Sequence, residues 1–412
     1  MNMSLKILHF FKEKWIRNVS LFLFSQTVST LGSSVVNFSI FWYLTLKYSS
    51  GIIITILILC IFIPQTLISL FAGVWADKYI KKYIIISADS FIAFATFILV
   101  VFIFIGNESL YIIYTATVIR SIGSGIQAPS ISSLIPELVP RKYLNKVNAI
   151  NNILHSVVTL LSPAIGGIIL GSFGIVHSLM FDVITAIIGV GILSTLTVTK
   201  SEEVKDENNE SQIRQLINGV RYARRNFVIN NILKLFTVIY IIVTPIAFLY
   251  PLLVERTYGN DIKKITFTEI SWSLGMITGG VSVVFTKKFR NKIKVSLWIN
   301  FILGINFIIM GIFAHKLSIL LMTLFLGGIF VIVGDTAETV FIQENTSPEM
   351  MGRIFSMLHM IRSLIFPLAI LVFGPLADYM SIKILICLSS FLLSFIAAIK
   401  LGDKRFIQMG NN

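Results

Sequence analysis

Apolar stretches about as long as a lipid bilayer is thick recur from one end of the chain to the other, and they limit the possible folds more than any other feature. A helix gains about 1.5 Å per residue, so about 20 apolar residues cross the hydrocarbon. Dividing the 412 residues at charge clusters and at Gly, Pro and Asn breaks leaves twelve such stretches. They cover approximately residues 20–45, 51–75, 83–105, 110–135, 147–171, 176–198, 229–253, 266–286, 295–315, 317–342, 354–377 and 382–401. With 55% hydrophobic and 13% charged residues, the chain has too few polar side chains to cover a water-facing surface. In lipid every backbone polar group needs an internal partner, so the expected class is an all-α integral membrane protein with twelve transmembrane helices.

The basic residues set the expected orientation. With the N-terminus placed in the cytoplasm, 25 Lys and Arg fall in inner segments, 6 in outer ones and 3 inside spans. The positive-inside rule then puts both termini in the cytoplasm. Anionic inner-leaflet lipid accounts for the net charge of +14, so no nucleic-acid partner is expected. The opening "MNMSLKILHFFKEKWIRN" is amphipathic and basic, and reads as a cytoplasmic helix leading into the first span rather than a signal peptide. One long polar stretch, Lys200 to Asn226, separates six spans from six. Its first part is acidic and reads as disordered, and "IRQLINGVRYARR" has the spacing of a surface amphipathic helix. The expected organisation is an N-terminal bundle at 1–199, a cytoplasmic linker at 200–226 and a C-terminal bundle at 227–412.

The halves echo one another. "IPELVPRKYLNKVNAI" and "IQENTSPEMMGRIFSM" occupy corresponding places, with Glu137 against Glu344 and Pro140 against Pro348. Two groups of six spans with matched turns are the repeat arrangement of secondary transporters. The sequence holds no P-loop, no His-Glu-x-x-His and no Gly-x-Ser-x-Gly. An enzyme is therefore not expected, nor a cofactor, and energy is expected from an ion gradient. Cys60 and Cys387 lie in separate apolar stretches without metal-ligand spacing, so they read as packing residues and no metal site is expected.

The run "GVWADKYIKK", Gly73 to Lys82, ends an apolar span on one aspartate and three lysines. An ordinary stop-transfer cluster explains Lys78, Lys81 and Lys82. Gly73 and Asp77 add something else: a glycine four residues before a carboxylate on one helix face admits a neighbouring helix and offers that carboxylate to its N-terminal dipole. Gly73, Asp77, Lys78, Lys81 and Lys82 are therefore read as a conformational latch. "GVWADKYIKK" resembles the Gly-x-x-x-Asp loop, followed by basic residues, of the major facilitator superfamily. "RSIGSG" from Arg120 resembles that family's Arg-x-x-x-Gly element. "SPAIGG" resembles its Gly-Pro-x-x-Gly-Gly exporter element, with Ser162 in place of the first glycine. "RSIGSGIQAPSISSLIPELVP", "ITFTEISWSLGMITGG", "MGRIFSMLHMIRSLIFP" and "GPLADYM" resemble the macrolide-efflux type of exporter, which is also related to enterobactin exporters. The resemblance implies the major facilitator fold of two pseudo-symmetric six-helix bundles in a bacterial-type plasma membrane. It also implies outward transport of a small amphipathic compound, with protons as the coupled ion.

Ionisable residues inside spans are the default candidates for function. Arg120, mid-span, is read as a proton-coupling or substrate-positioning group, or else as a helix anchor. Asp335 and Glu338, three residues apart on one face, are the preferred proton site, with Arg362 available to neutralise one of them. Asp182 is a further candidate, shallow enough for water to reach; Asp89 reads as support for the Asp77 loop, and Asp378 as a residue reaching to the interface. Gln26, Ser29, Ser33 and Asn37 form a polar stripe expected to face a cavity. Given the superfamily's cavity-lining spans, Gln26, Asn37, Arg120, Tyr250 and Asp335 are the expected substrate-cavity residues. Pro163, Gly166 and Gly167 are expected to kink and closely pack their helix. The expected partners are a small-molecule substrate, protons and membrane lipid, with the chain acting as a monomer. A siderophore or nutrient transporter, in either direction, is the alternative, and a sensor that no longer transports is a third.

Overall fold

The computed structural model describes residues 14–196, 221–259, 261–285, 291–408 and 410. The opening 13 residues and most of the expected linker therefore lie outside the described residues. Among those described, every regular element is helical. In chain order they include α1 (Lys14–Tyr48), α2 (Gly51–Lys78), α3 (Lys81–Phe104), α4 (Leu110–Leu138), a 3-10 turn (Arg141–Tyr143), α5 (Leu144–Ser194), α6 (Phe227–Tyr258), α7 (Ile262–Phe285), α8 (Lys292–Phe313), α9 (Leu317–Asn345), α10 (Pro348–Tyr379), α11 (Ile382–Gly402) and the short α12 (Lys404–Gln408). Nine of the described helices are long and apolar enough to cross a bilayer.

Local chemistry sets the breaks. The Asn226 side chain accepts from the backbone N–H groups of Val228 (3.1 Å) and Ile229 (3.2 Å), donors that the first turn of α6 leaves unpaired. Asn291 does the same for α8 through Lys294 (2.8 Å). Asn226→Ala is expected to lower stability by about 1 kcal/mol, measured as a shift in thermal unfolding of the purified protein. The chain stretches expected at 147–171 and 176–198 form one element, α5, broken only at Gly174. Gly174 has φ 81°, a backbone conformation glycine takes without strain, so a single residue replaces a connecting loop.

The described residues pack as two compact units, one made of 14–43 and 56–196, the other of 44–55 and the described residues from 221 onward. In both, large apolar side chains such as Phe94, Phe104, Ile187 and Phe391 point outward while serines, threonines and carboxylates are buried. That inside-out distribution suits a hydrocarbon solvent.

Small residues let the buried polar groups meet. In the first unit α3 lies against both α4 and α5. There α1 approaches α5 so closely at Gly32 that a Cβ would sit 1.9 Å from Thr185 Oγ1. The first arm of α5 is seated the same way: Gly166, Gly167 and Pro163 are buried, and a Cβ on Gly166 would lie 3.2 Å from the Val35 carbonyl. In the second unit α7 runs along α9, and α8 packs on α9 and α11.

Candidate transport and coupling site

In the first unit, four helices converge on two carboxylates. Arg120 of α4 forms an ion pair with Asp182 of α5, and both are almost fully buried, at 3% and 1% exposure. The same guanidinium donates to Thr96 of α3 and to the Ser33 carbonyl of α1 at 3.3 Å, and Asn37 Oδ1 stands 3.5 Å away. Asp182 also accepts from Ser33 Oγ (2.9 Å) and Thr96 Oγ1 (2.8 Å). The planar fork of arginine suits this work, because it reaches several acceptors at once without losing its charge. Asp182 is thus sealed from water, which corrects the expectation of a shallow, wetted carboxylate.

The second carboxylate of this unit is Asp89, at 2% exposure. Its Oδ1 accepts from Ser29 Oγ at 2.8 Å and from Gln127 Nε2. Asp89 therefore faces α1 and α4 rather than propping the Asp77 loop, which corrects its expected task. The polar stripe of α1 was expected to face a cavity. Ser29 and Ser33 are instead spent on Asp89 and Asp182, and Gln26 is buried at 4% exposure beside Asp89.

The turn at the end of α2 is anchored within the same unit. Lys81 pairs with Glu137 of α4. Lys82 donates to the carbonyls of Ser194 (2.8 Å) and Leu196 (2.6 Å), acceptors that the end of α5 cannot satisfy internally. These two lysines therefore hold α3 against α4 and α5. The side chains of Gly73, Asp77 and Lys78 lie outside the described set.

In the second unit, Asp335 and Glu338 of α9 have different surroundings. Asp335 meets Arg362 of α10 at 2.7 Å and the Tyr240 hydroxyl of α6 at 3.2 Å, and the Arg362 guanidinium lies 4.7 Å from the centre of the Tyr240 ring. Both partners of this ion pair are about two-fifths exposed, Arg362 at 37% and Asp335 at 43% of the side chain. Glu338 is 6% exposed and accepts from Ser296 Oγ of α8 at 2.8 Å. The expected pair is thus one neutralised, half-open carboxylate and one buried carboxylate whose described contact is a hydroxyl.

Tyr250, expected to line the cavity, donates its hydroxyl to Glu269 of α7. Glu269 is itself buried, and its place in the apolar run "ITFTEISW" is the signal by which it could have been found. Asp378 was expected to reach to the interface. It instead accepts from the backbone N–H groups of Gly51 (2.7 Å) and Ile52 (3.0 Å) and from Ser50 Oγ (2.9 Å), and pairs with Arg256 at 2.9 Å. Four residues earlier, Gly374 lets α10 touch the start of α2, for a Cβ there would lie 1.7 Å from Thr55 Oγ1. Gly374 to Asp378 thus has the spacing of Gly73 to Asp77, and shows the carboxylate-on-helix-start contact anticipated for the earlier pair.

Long apolar helices with carboxylates and guanidinium groups buried among them describe a membrane protein with charge in its interior. Residues 22–370 match the Major Facilitator Superfamily, and the chain belongs to that family of transporters. It is a multi-pass protein of a bacterial-type plasma membrane. Among curated proteins it is similar to Macrolide efflux protein A of Streptococcus pyogenes, with 26% identity covering 91% of this chain and 93% of the relative. It is also similar to the Staphyloferrin A transporter of Staphylococcus aureus, with 22% identity covering 88% and 90%. Its fold is similar to an inward-facing bacterial homologue of the iron transporter ferroportin, with a TM-score of 0.70 and 14% identity over 94% of this chain and 99% of that one. An inward-facing bacterial homologue of the human lysosomal transporter Spinster is comparable, with a TM-score of 0.67 and 14% identity over 96% and 98%.

Proposed function

We propose that this chain exports a small amphipathic compound of macrolide-like chemistry by proton antiport and alternating access. In this reading it has twelve spans, both termini in the cytoplasm, and bundles at 1–199 and 227–412 joined by the linker at 200–226. The observation that carries the coupling is Glu338, a carboxyl buried on α9 one turn from the Asp335–Arg362 pair. A carboxyl held there changes its charge by taking one proton from water on one side and returning it to water on the other, which is the exchange that coupling requires. The named macrolide-efflux relatives support the substrate class.

Arg120 and Asp182 fix the first unit's helices around their buried charges, and Asp335 with Arg362 marks the more open side of the second unit. Asn37, Tyr250 and Asp335 remain the residues assigned to substrate. Gly73 and Asp77 carry the latch, with Lys78 beside them, while Lys81 and Lys82 hold its turn in place. No cofactor takes part; the free energy comes from the proton gradient.

Inside-out vesicles with an acid interior test the reading. Radiolabelled erythromycin is expected to accumulate, an uncoupler to abolish the accumulation, and Glu338→Gln to reduce it at least tenfold with unchanged thermal unfolding. Uncoupler-sensitive uptake at the parental rate in Glu338→Gln would remove this carboxyl from the mechanism. The relative named a Staphyloferrin A transporter favours a second reading, transport of a siderophore. Growth under iron limitation that depends on this protein, with no change in macrolide susceptibility, is the result expected from it.

A further inference from the structure

The mechanism proposed above places its proton in the second unit and leaves Asp89 without a task, yet Asp89 is among the least accommodated groups among the described residues. Its Oδ1 accepts from Ser29 Oγ and Gln127 Nε2, while its Oδ2 is buried without a hydrogen-bond partner. Gln26 lies against the same carboxyl, and its Oε1 is also a buried acceptor without a donor. A buried carboxylate oxygen without a donor calls for a hydrogen that an ionised carboxylate cannot supply.

The charged neighbours do not relieve this. Asp182, from α5, is itself a carboxylate already paired with Arg120. Arg120, from α4, gives its guanidinium to Asp182, Thr96 and Ser33. Lys82, on α3 itself, is turned to the carbonyls of Ser194 and Leu196. What α1 and α4 turn toward Asp89 is neutral: Ser29, Gln26 and Gln127. A buried anion whose described partners are all neutral is the arrangement that neutralises by taking up a proton.

We infer that Asp89 is a proton-binding site of the first unit, separate from Glu338, in which Oδ2 carries the proton. Binding converts the carboxylate and one proton from water into a neutral acid; release returns that proton to water and leaves the carboxylate held by Ser29 and Gln127. Ser29 Oγ and the Gln127 amide, both donors to Oδ1, set how readily the proton leaves, because they stabilise the charged form. The inference rests on the proton-antiport reading for its use in transport, but the protonation itself stands on the geometry of α1, α3 and α4.

Infrared difference spectroscopy on the full chain, purified and reconstituted in lipid, tests it with no transported compound present. As pH rises, the parent is expected to lose a carbonyl-stretch band of a protonated carboxylic acid, and Asp89→Asn to lack that band, while Glu338→Gln lacks a different one. Ser29→Ala is expected to keep the Asp89 band to more alkaline pH, since a donor to the anion has been removed, and this variant answers the question even if Asp89→Asn fails to fold. A set of acid bands identical in the parent, Asp89→Asn and Ser29→Ala overturns the inference. So does a band that follows sodium chloride at constant pH, which would make the site one for a metal cation. Because the spectra need no substrate, a failed erythromycin assay and a failed protonation assay are separate results.

Discussion

Arg120→Leu is expected to lose about 3–5 kcal/mol of stability, the usual cost of leaving one member of a buried ion pair without its partner. The reason is the closure around Asp182. The carboxylate is 1% exposed and keeps only the Ser33 and Thr96 hydroxyls once the guanidinium is gone. Arg120→Lys is expected to recover only part of the loss, because an ammonium does not reproduce the planar fork that meets Asp182, Thr96 and the Ser33 carbonyl together. The double variant Arg120→Leu with Asp182→Leu removes both charges and is expected to be more stable than Arg120→Leu alone. Thermal unfolding in detergent, followed by tryptophan fluorescence, reads all three; a single Arg120→Leu variant as stable as the parent would show that the pair holds nothing.

A substitution that adds one methyl group is expected to be damaging as well, though less so. Gly275 of α7 faces α9 so closely that a Cβ would stand 2.1 Å from the Phe325 carbonyl oxygen, and one on Gly328 of α9 would stand 2.5 Å from the Trp272 carbonyl. Both obstacles are backbone, which cannot turn aside as a side chain does. Gly279, four residues after Gly275, repeats the contact at Ile329, so the two helices meet along a seam of small residues. Gly275→Ala therefore has to push α7 away from α9, at a cost of about 1–3 kcal/mol from overpacking. Export should fall further than stability does, because α9 is the element that aims Asp335 at Arg362 and Glu338 at Ser296. Gly280, whose added Cβ would meet open space, is the control: Gly280→Ala is expected to leave export unchanged and stability at or slightly above the parent's.

The sequence made the helical class legible because apolar stretches of bilayer length have few alternatives, and the family was carried by "GVWADKYIKK" and the stretches around Arg120 and Ser162. Arg120, Asp182, Asp335, Glu338 and Arg362 were identifiable for the same reason: a charge in hydrocarbon needs a partner. Which partner was less legible. Arg362 meets Asp335 across the 27 positions between them, whereas the link from Arg120 to Asp182 spans 62 positions and depends on how α4 meets α5. The polar stripe of α1 shows where periodicity stops. Spacing placed Gln26, Ser29, Ser33 and Asn37 on one face, and could not tell a face turned to a cavity from one turned to buried carboxylates. Asp378 was misjudged because a position near a span end says nothing about the unpaired N–H groups at the start of another helix.

Gly174 imposes a counting rule on everything after it. With one residue between two helical arms there is no slack to absorb a length change, and each added residue turns the following arm by about 100°. A one-residue insertion between positions 174 and 182 would swing the aspartate a quarter-turn or more off its guanidinium while leaving the composition and hydropathy of the arm almost untouched. Length polymorphism should therefore be absent from this short interval in working variants, even where sequence identity there is low.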